Sequence, residues 1–118
     1  MAPASLDPAG AARLRAMGGS EFLARMIDVF LEDAPGRVRE AVTAGDAREL
    51  GALGRAGHAL VASAGRLGAA ELSSVARRIE EAARDGRGEE AFGLVGRLTE
   101  EFDSACRLLR TLRSEIPS

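Results

Sequence analysis

The sequence contains one cysteine, one histidine, four phenylalanines and no tyrosine or tryptophan. Cys106 stands alone, so no intramolecular disulfide can form, which suits a reducing compartment. One histidine and one cysteine, far apart in the chain, cannot assemble a usual zinc set, and no metal site is expected. No stretch approaches the roughly 20 apolar residues of a membrane span. Met1 to Leu6 lack the basic run and apolar core of a secretory leader. The net charge is −2, and 16 Lys+Arg are interspersed with 18 Asp+Glu instead of gathered in blocks, which leaves no basic footprint for nucleic acid. The expectation is a soluble, cytoplasmic protein with no nucleic-acid or membrane partner.

The chain does have helix formers. Ala, Leu, Arg and Glu dominate, and β-branched residues are scarce. With 118 residues, 46% hydrophobic and 29% charged, it fits one compact domain over residues 1–118. Residues 1–9, with Pro3 and Pro8, read as a loose lead-in. Leu6, Leu14 and Met17 suggest a short first helix stopped by Gly18-Gly19, after which Ser20 offers an N-cap. Phe22, Leu23, Met26, Ile27, Val29 and Phe30 then form a helical stripe. Pro35 breaks or kinks that helix, or starts the next, and the pattern runs on through Val38, Ala41 and Val42 to Gly45. Asp46 and Glu49 read as a capping box opening a helix to about Leu67. The next helix carries Leu72, Val75, Ala76, Ile79 and Ala83 and ends at Asp85-Gly86-Arg87-Gly88. One last long helix runs from Ala91 through Leu112 in near-heptad spacing. The expected fold class is all-α: an antiparallel four-helix bundle with a short extra N-terminal helix.

A helical wheel places His58. At about 100° per residue, Leu53, Leu60, Ala64 and Leu67 fall roughly 180° to 240° from it, so leucines facing the core leave the imidazole facing solvent. Gly54, Ala62 and Gly65 lie within about 40° of His58, with Arg55 and Arg66 further round. A helical glycine costs about 0.8–1 kcal/mol relative to alanine, and this helix holds Gly51 and Gly57 besides Gly54 and Gly65. Small residues around one imidazole suit a low-relief docking face for another protein; close helix–helix packing explains them equally well. A lone exposed histidine is, in the usual case, an ordinary surface residue.

The segment His58-Ala59-Leu60-Val61-Ala62-Ser63-Ala64-Gly65-Arg66-Leu67-Gly68-Ala69 resembles the signature of histidine phosphotransfer (HPt) domains, roughly His-x-Leu-Lys-Gly-Ser-x-x-x-Leu-Gly-Ala. His58, Leu60, Ser63, Leu67, Gly68 and Ala69 match. Phe22 to Phe30 and Leu72 to Glu80 are similar to the helices that flank the signature in that family. Val61 and Ala62 stand where the family has lysine and glycine, and Arg55, one turn before His58, could supply the missing charge, with Arg66 or Arg84 assisting.

The resemblance implies a phosphoryl carrier without kinase activity of its own. His58 would take a phosphoryl group from a receiver-domain aspartate and pass it to another receiver. An imidazole of ordinary pKa, about 6.5, is largely neutral and nucleophilic near pH 7. Glu80 matches a position where an acid or amide holds the second ring nitrogen; as a bare residue it reads equally as a solvated surface glutamate. Ser63 would bond back to its own helix or line a docking face formed by Gly54, Val61, Ala62 and Gly65. The implied partners are response-regulator receiver domains and a hybrid sensor kinase. The Mg²⁺ would belong to the receiver, leaving this chain a monomer with no cofactor of its own. Two other readings stay open: a receiver-binding module that carries no phosphate, and a helical adaptor unrelated to phosphorelay.

Overall fold

Helix ends, more than helix interiors, organise the chain. The structure is a computed structural model and describes residues 5–117; the first part of the proposed lead-in, residues 1–4, lies outside them. All regular structure among the described residues is helical: α1 (Pro8–Asp46), α2 (Leu50–Arg66), α3 (Ala70–Arg84), α4 (Gly88–Gly93) and α5 (Val95–Ser114).

The lead-in is shorter than expected and is not loose at its inner end. Helix α1 begins at Pro8, where a missing N–H costs nothing, because Asp7 caps it: the carboxylate accepts from the Ala9 amide at 3.0 Å. The Asp7 amide in turn donates to the Gly68 carbonyl at 2.8 Å, fastening the chain start to the corner after α2. Asp7→Ala is expected to lower stability by about 1 kcal/mol, read as a lower urea midpoint; an unchanged midpoint would show that solvent replaces the cap in full.

Helix α1 is interrupted at Gly18-Gly19, where Gly19 adopts φ 78°, and helical turns lie on both sides. Pro35 sits inside the helix without ending it. It removes one donor to the Leu31 carbonyl, and the chain continues helical through to Asp46.

The capping box expected at Asp46 and Glu49 is not formed. Asp46 closes α1, and Glu49 precedes α2 without a side-chain cap. The corner is instead a Schellman turn: Glu49 N–H donates to Ala44 O and Arg48 N–H to Gly45 O, with Arg48 at φ 54°. The same pair of bonds closes α2 at Gly68 (φ 78°) and α3 at Gly86 (φ 73°). Arg48 bears a left-handed cost of roughly 1–2 kcal/mol; against it stand its guanidinium, 4.5 Å over the Phe92 ring, and its ion pair with Glu89.

The single last helix expected from Ala91 onward is two. Helix α4 ends at Gly93, and at Leu94 an i→i−3 bond to Ala91 tightens the chain before α5 starts. Leu94 keeps near-helical angles (φ −87°, ψ −10°), so the apolar spacing carries across the joint.

Helix α1 packs on α2 and α5, and α3 packs on α2 and α5, so the four long helices close a ring. Leu23, Ile27, Leu53, Leu60, Leu72, Ile79, Leu98 and Leu109 are fully buried within it. The Phe30 and Phe102 rings meet 6.1 Å apart, and the Arg113 guanidinium forks onto Asp28, at 2.9 and 3.4 Å, tying α5 to α1. Leu53 and Leu60, separated by two turns, fix which face of α2 turns outward.

Candidate functional site

His58 lies on that outward face, with its side chain 77% exposed. Leu60 is fully buried, as the wheel requires. The ring is held from the next helix: His58 Nδ1 is hydrogen-bonded to Oε2 of Glu80, whose side chain is only 25% exposed. A carboxylate can only accept, so Nδ1 carries the proton and Nε2 keeps its lone pair.

The two helices come close enough for this because of glycine. A Cβ on Gly57 would stand 2.9 Å from the Ala76 carbonyl oxygen and 3.4 Å from the Glu80 amide nitrogen. One on Gly54 would stand 2.8 Å from the Ala83 methyl, and one on Gly65 3.4 Å from Ser73 Oγ. Ser73 Oγ donates to the Val61 carbonyl at 2.8 Å along the same seam. Of the two explanations open for these glycines, packing is the one their surroundings display. Gly54 also borders the open groove beside His58, so for that residue the two are not exclusive.

The remaining predicted residues divide by side. On the α3 side, Arg55, His58, Glu80 and Arg84 line a shallow groove over Gly51, Gly54 and Ala83. Arg55 lies back over Gly51, its Nη1 3.5 Å from where a Cβ there would sit. On the α1 side, Ser63 and Arg66 line a second groove with Ala59, Met26, Val29 and Asp33. Ser63 Oγ bonds back to the Ala59 and Leu60 carbonyls at 3.2 and 3.4 Å. Val61 is half-buried against the core, and Ala62 is exposed. Arg66 is thus separated from the Arg55 groove, although both are on α2. Gly51 and Ala83 are further groove residues: Gly51 falls near His58 on the wheel, whereas Ala83, in the apolar set of its helix, reaches the site only because α3 lies against α2. Val29, part of the apolar helical stripe read from Phe22 to Phe30, is 41% exposed and faces the groove on the α1 side.

Cys106 is buried in α5, and burial raises its thiol pKa above the ordinary value, with Asp103 adding to the rise and Arg110 opposing it. The thiol is a packing group: it is buried, and the chain's one histidine, His58, is on the exposed face of α2. Among the described residues no cluster of three His, Cys, Asp or Glu side chains is close enough to hold a metal ion, and no helix is long and apolar enough to cross a membrane.

An exposed histidine oriented by a glutamate on the neighbouring helix is the arrangement the family resemblance implied. The sequence profile of the Hpt domain matches residues 25–113. The chain belongs to the Hpt domain family. Hpt domains carry phosphoryl groups and are not kinases. The matched span of this Hpt domain takes in His58, Glu80, Arg55, Arg66 and Ser63, together with most of α1 and nearly all of α5. Among solved structures it is similar to histidine-containing phosphotransfer protein B (HptB) from Pseudomonas aeruginosa PAO1, with 26% sequence identity and a TM-score of 0.87. That match covers 99% of this chain and 100% of the other. No curated protein matches the sequence.

Proposed function

We propose that this Hpt domain is a relay intermediate in a two-component phosphorelay, taking a phosphoryl group from a receiver-domain aspartate onto His58 and handing it to a second receiver. The observation that carries the reading is the pairing of a largely exposed imidazole with a largely buried carboxylate through Nδ1. In the step, the Nε2 lone pair attacks phosphorus and an N–P bond forms. The P–O bond to the aspartyl carboxyl breaks, and its electron pair restores the receiver's carboxylate. The ring gains positive charge while Nδ1 keeps its proton, and Glu80 faces that charge, so no proton has to leave during transfer. Reversal of the same step delivers the group onward.

Such chemistry asks for positioning and charge, not for a metal held by this chain. In this reading the Mg²⁺ belongs to the receiver, and the domain has no cofactor and no kinase activity of its own. On the same reading Arg55 meets phosphoryl charge, and Arg66 and Ser63 meet the docked receiver. Gly54 and Ala62 form the flat ground around the ring, and Val61 and Gly65, which pack against the core and Ser73 respectively, border it. The ring of four long helices is read as an antiparallel bundle, with the turns before Gly18 as an added N-terminal helix and the whole of residues 1–118 as one monomeric unit in the cytoplasm. A hybrid sensor kinase is the proposed origin of the phosphate.

The test is to incubate the protein with phosphorylated receiver domains and follow the label. Acid-labile, alkali-stable phosphate on this chain is the expected result. Stable binding without label would replace the relay with a receiver-docking module, which the valine at position 61 makes the second reading. Neither binding nor label would leave a helical adaptor.

A further inference from the structure

The lysine expected three residues after the histidine is Val61, and no lysine occurs anywhere in the chain: all sixteen Lys+Arg residues are arginines. Val61 is half-buried against the core and brings no charge to the imidazole. The charge has to reach the imidazole from elsewhere, and the groove on the α3 side offers two sources.

Arg55 enters that groove from α2 and Arg84 from α3. Between them the floor is Gly51, Gly54 and the Ala83 methyl, which present no polar side-chain atom to either guanidinium. Five arginines are committed: Arg37 to Glu40, Arg48 to Glu89, Arg87 to Asp85 and Glu90, Arg97 to Glu101 and Arg113 to Asp28. What sets Arg55 and Arg84 apart from the rest is that they line the groove beside His58. Neither Arg55 nor Arg84 has a carboxylate within ion-pair distance among the described residues. The one acid lining the groove, Glu80, is engaged by the imidazole. With His58 neutral, the side chains lining this groove sum to +1, which suits a dianionic group.

We propose that Arg55 and Arg84, which line one groove with His58 from two different helices, form the seat of the phosphoryl group on His58 and replace the absent lysine. This rests on His58 being the phosphorylated residue. Arginine suits the task because its planar fork can take two phosphoryl oxygens at once. Placing one on each helix lets the group be held from both sides while the face toward solvent stays open to an incoming receiver. Arg84 lies one turn after Glu80 on α3, so a single helix supplies both the carboxylate that orients the ring and a cation for the group the ring carries.

The seat can be tested without a partner protein. The full chain is charged with potassium phosphoramidate: Nε2 attacks phosphorus, the donor's P–N bond breaks, and ammonia leaves. Loading rate and phosphohistidine lifetime are followed by phosphorus NMR. Arg84→Gln and Arg55→Gln are each expected to slow loading about fivefold, the effect of one partly exposed charge. Arg84→Lys should recover most of the loss, because it restores the charge but not the fork. Arg78→Gln, on α3 but outside the groove, should load at the parent rate. Equal rates for Arg84→Gln and Arg78→Gln would overturn the seat while leaving the relay standing. Loading that depends on Arg84, with no transfer from any phosphorylated receiver, would uphold the seat and remove the relay.

Discussion

His58→Gln is expected to abolish acid-labile phosphorylation completely and to leave the unfolding midpoint where it was. The first half follows from chemistry, since an amide nitrogen has no lone pair free for attack on phosphorus and the chain has no second imidazole to substitute. The second half follows from position. The side chain is 77% exposed and its one hydrogen-bond partner is Glu80. A glutamine amide can still donate to that carboxylate, and surface substitutions of this kind shift stability by no more than about 0.5 kcal/mol. Phosphate remaining on the variant would move the acceptor to another residue. A clear fall in the urea midpoint would show instead that the His58–Glu80 pair belongs to the structural core.

Gly68→Ala is expected to be the most damaging single-methyl change outside the core, lowering stability by roughly 2–4 kcal/mol. Two independent costs meet there. Gly68 sits at φ 78°, where an L side chain costs about 1–2 kcal/mol. Its added Cβ would also stand 2.3 Å from the Asp7 carbonyl oxygen and 3.1 Å from the Asp7 nitrogen, so the chain start cannot keep its bond to the Gly68 carbonyl. Gly10→Ala separates the two. Its Cβ would press on the same corner, 2.6 Å from the Gly68 nitrogen, but Gly10 is helical and carries no left-handed penalty. Urea titration should therefore rank Gly68→Ala below Gly10→Ala, and both below the parent. A parent-like midpoint for Gly68→Ala would overturn both costs, the left-handed backbone at residue 68 and the clash with Asp7.

What could be read from the residues was the faces of helices, and what could not was their ends. The apolar period located α2 and α3 and turned His58 outward, because burial is decided by spacing and spacing is visible. The corner after α1 was misread since Asp46 and Glu49 have the composition of a cap, while the residue that turns the chain, Arg48, is a non-glycine in a left-handed conformation with no local signal. Its partners, Glu89 and Phe92, are some forty residues away. The joint at Leu94 was invisible because the backbone there stays nearly helical and the apolar period is kept. At the site, the family pattern marks Glu80. The groove holding Arg84 exists only through the approach of two helices, which no linear spacing reports.

The glycines between α2 and α3 have a consequence for tuning. Where backbones touch with almost no side chains between them, the distance from imidazole to carboxylate is gauged by main-chain atoms, which do not swing between rotamers. Gly57 sets that gauge, because the first atom a methyl there would meet is the Ala76 carbonyl oxygen, followed by Ile79 Cγ2 and the Glu80 amide nitrogen. A substitution at Gly57, which touches neither reacting group, would thus move one helix relative to the other and alter the spacing between His58 and Glu80. Evolution of faster or slower relays from this scaffold has an adjusting screw one residue before the histidine.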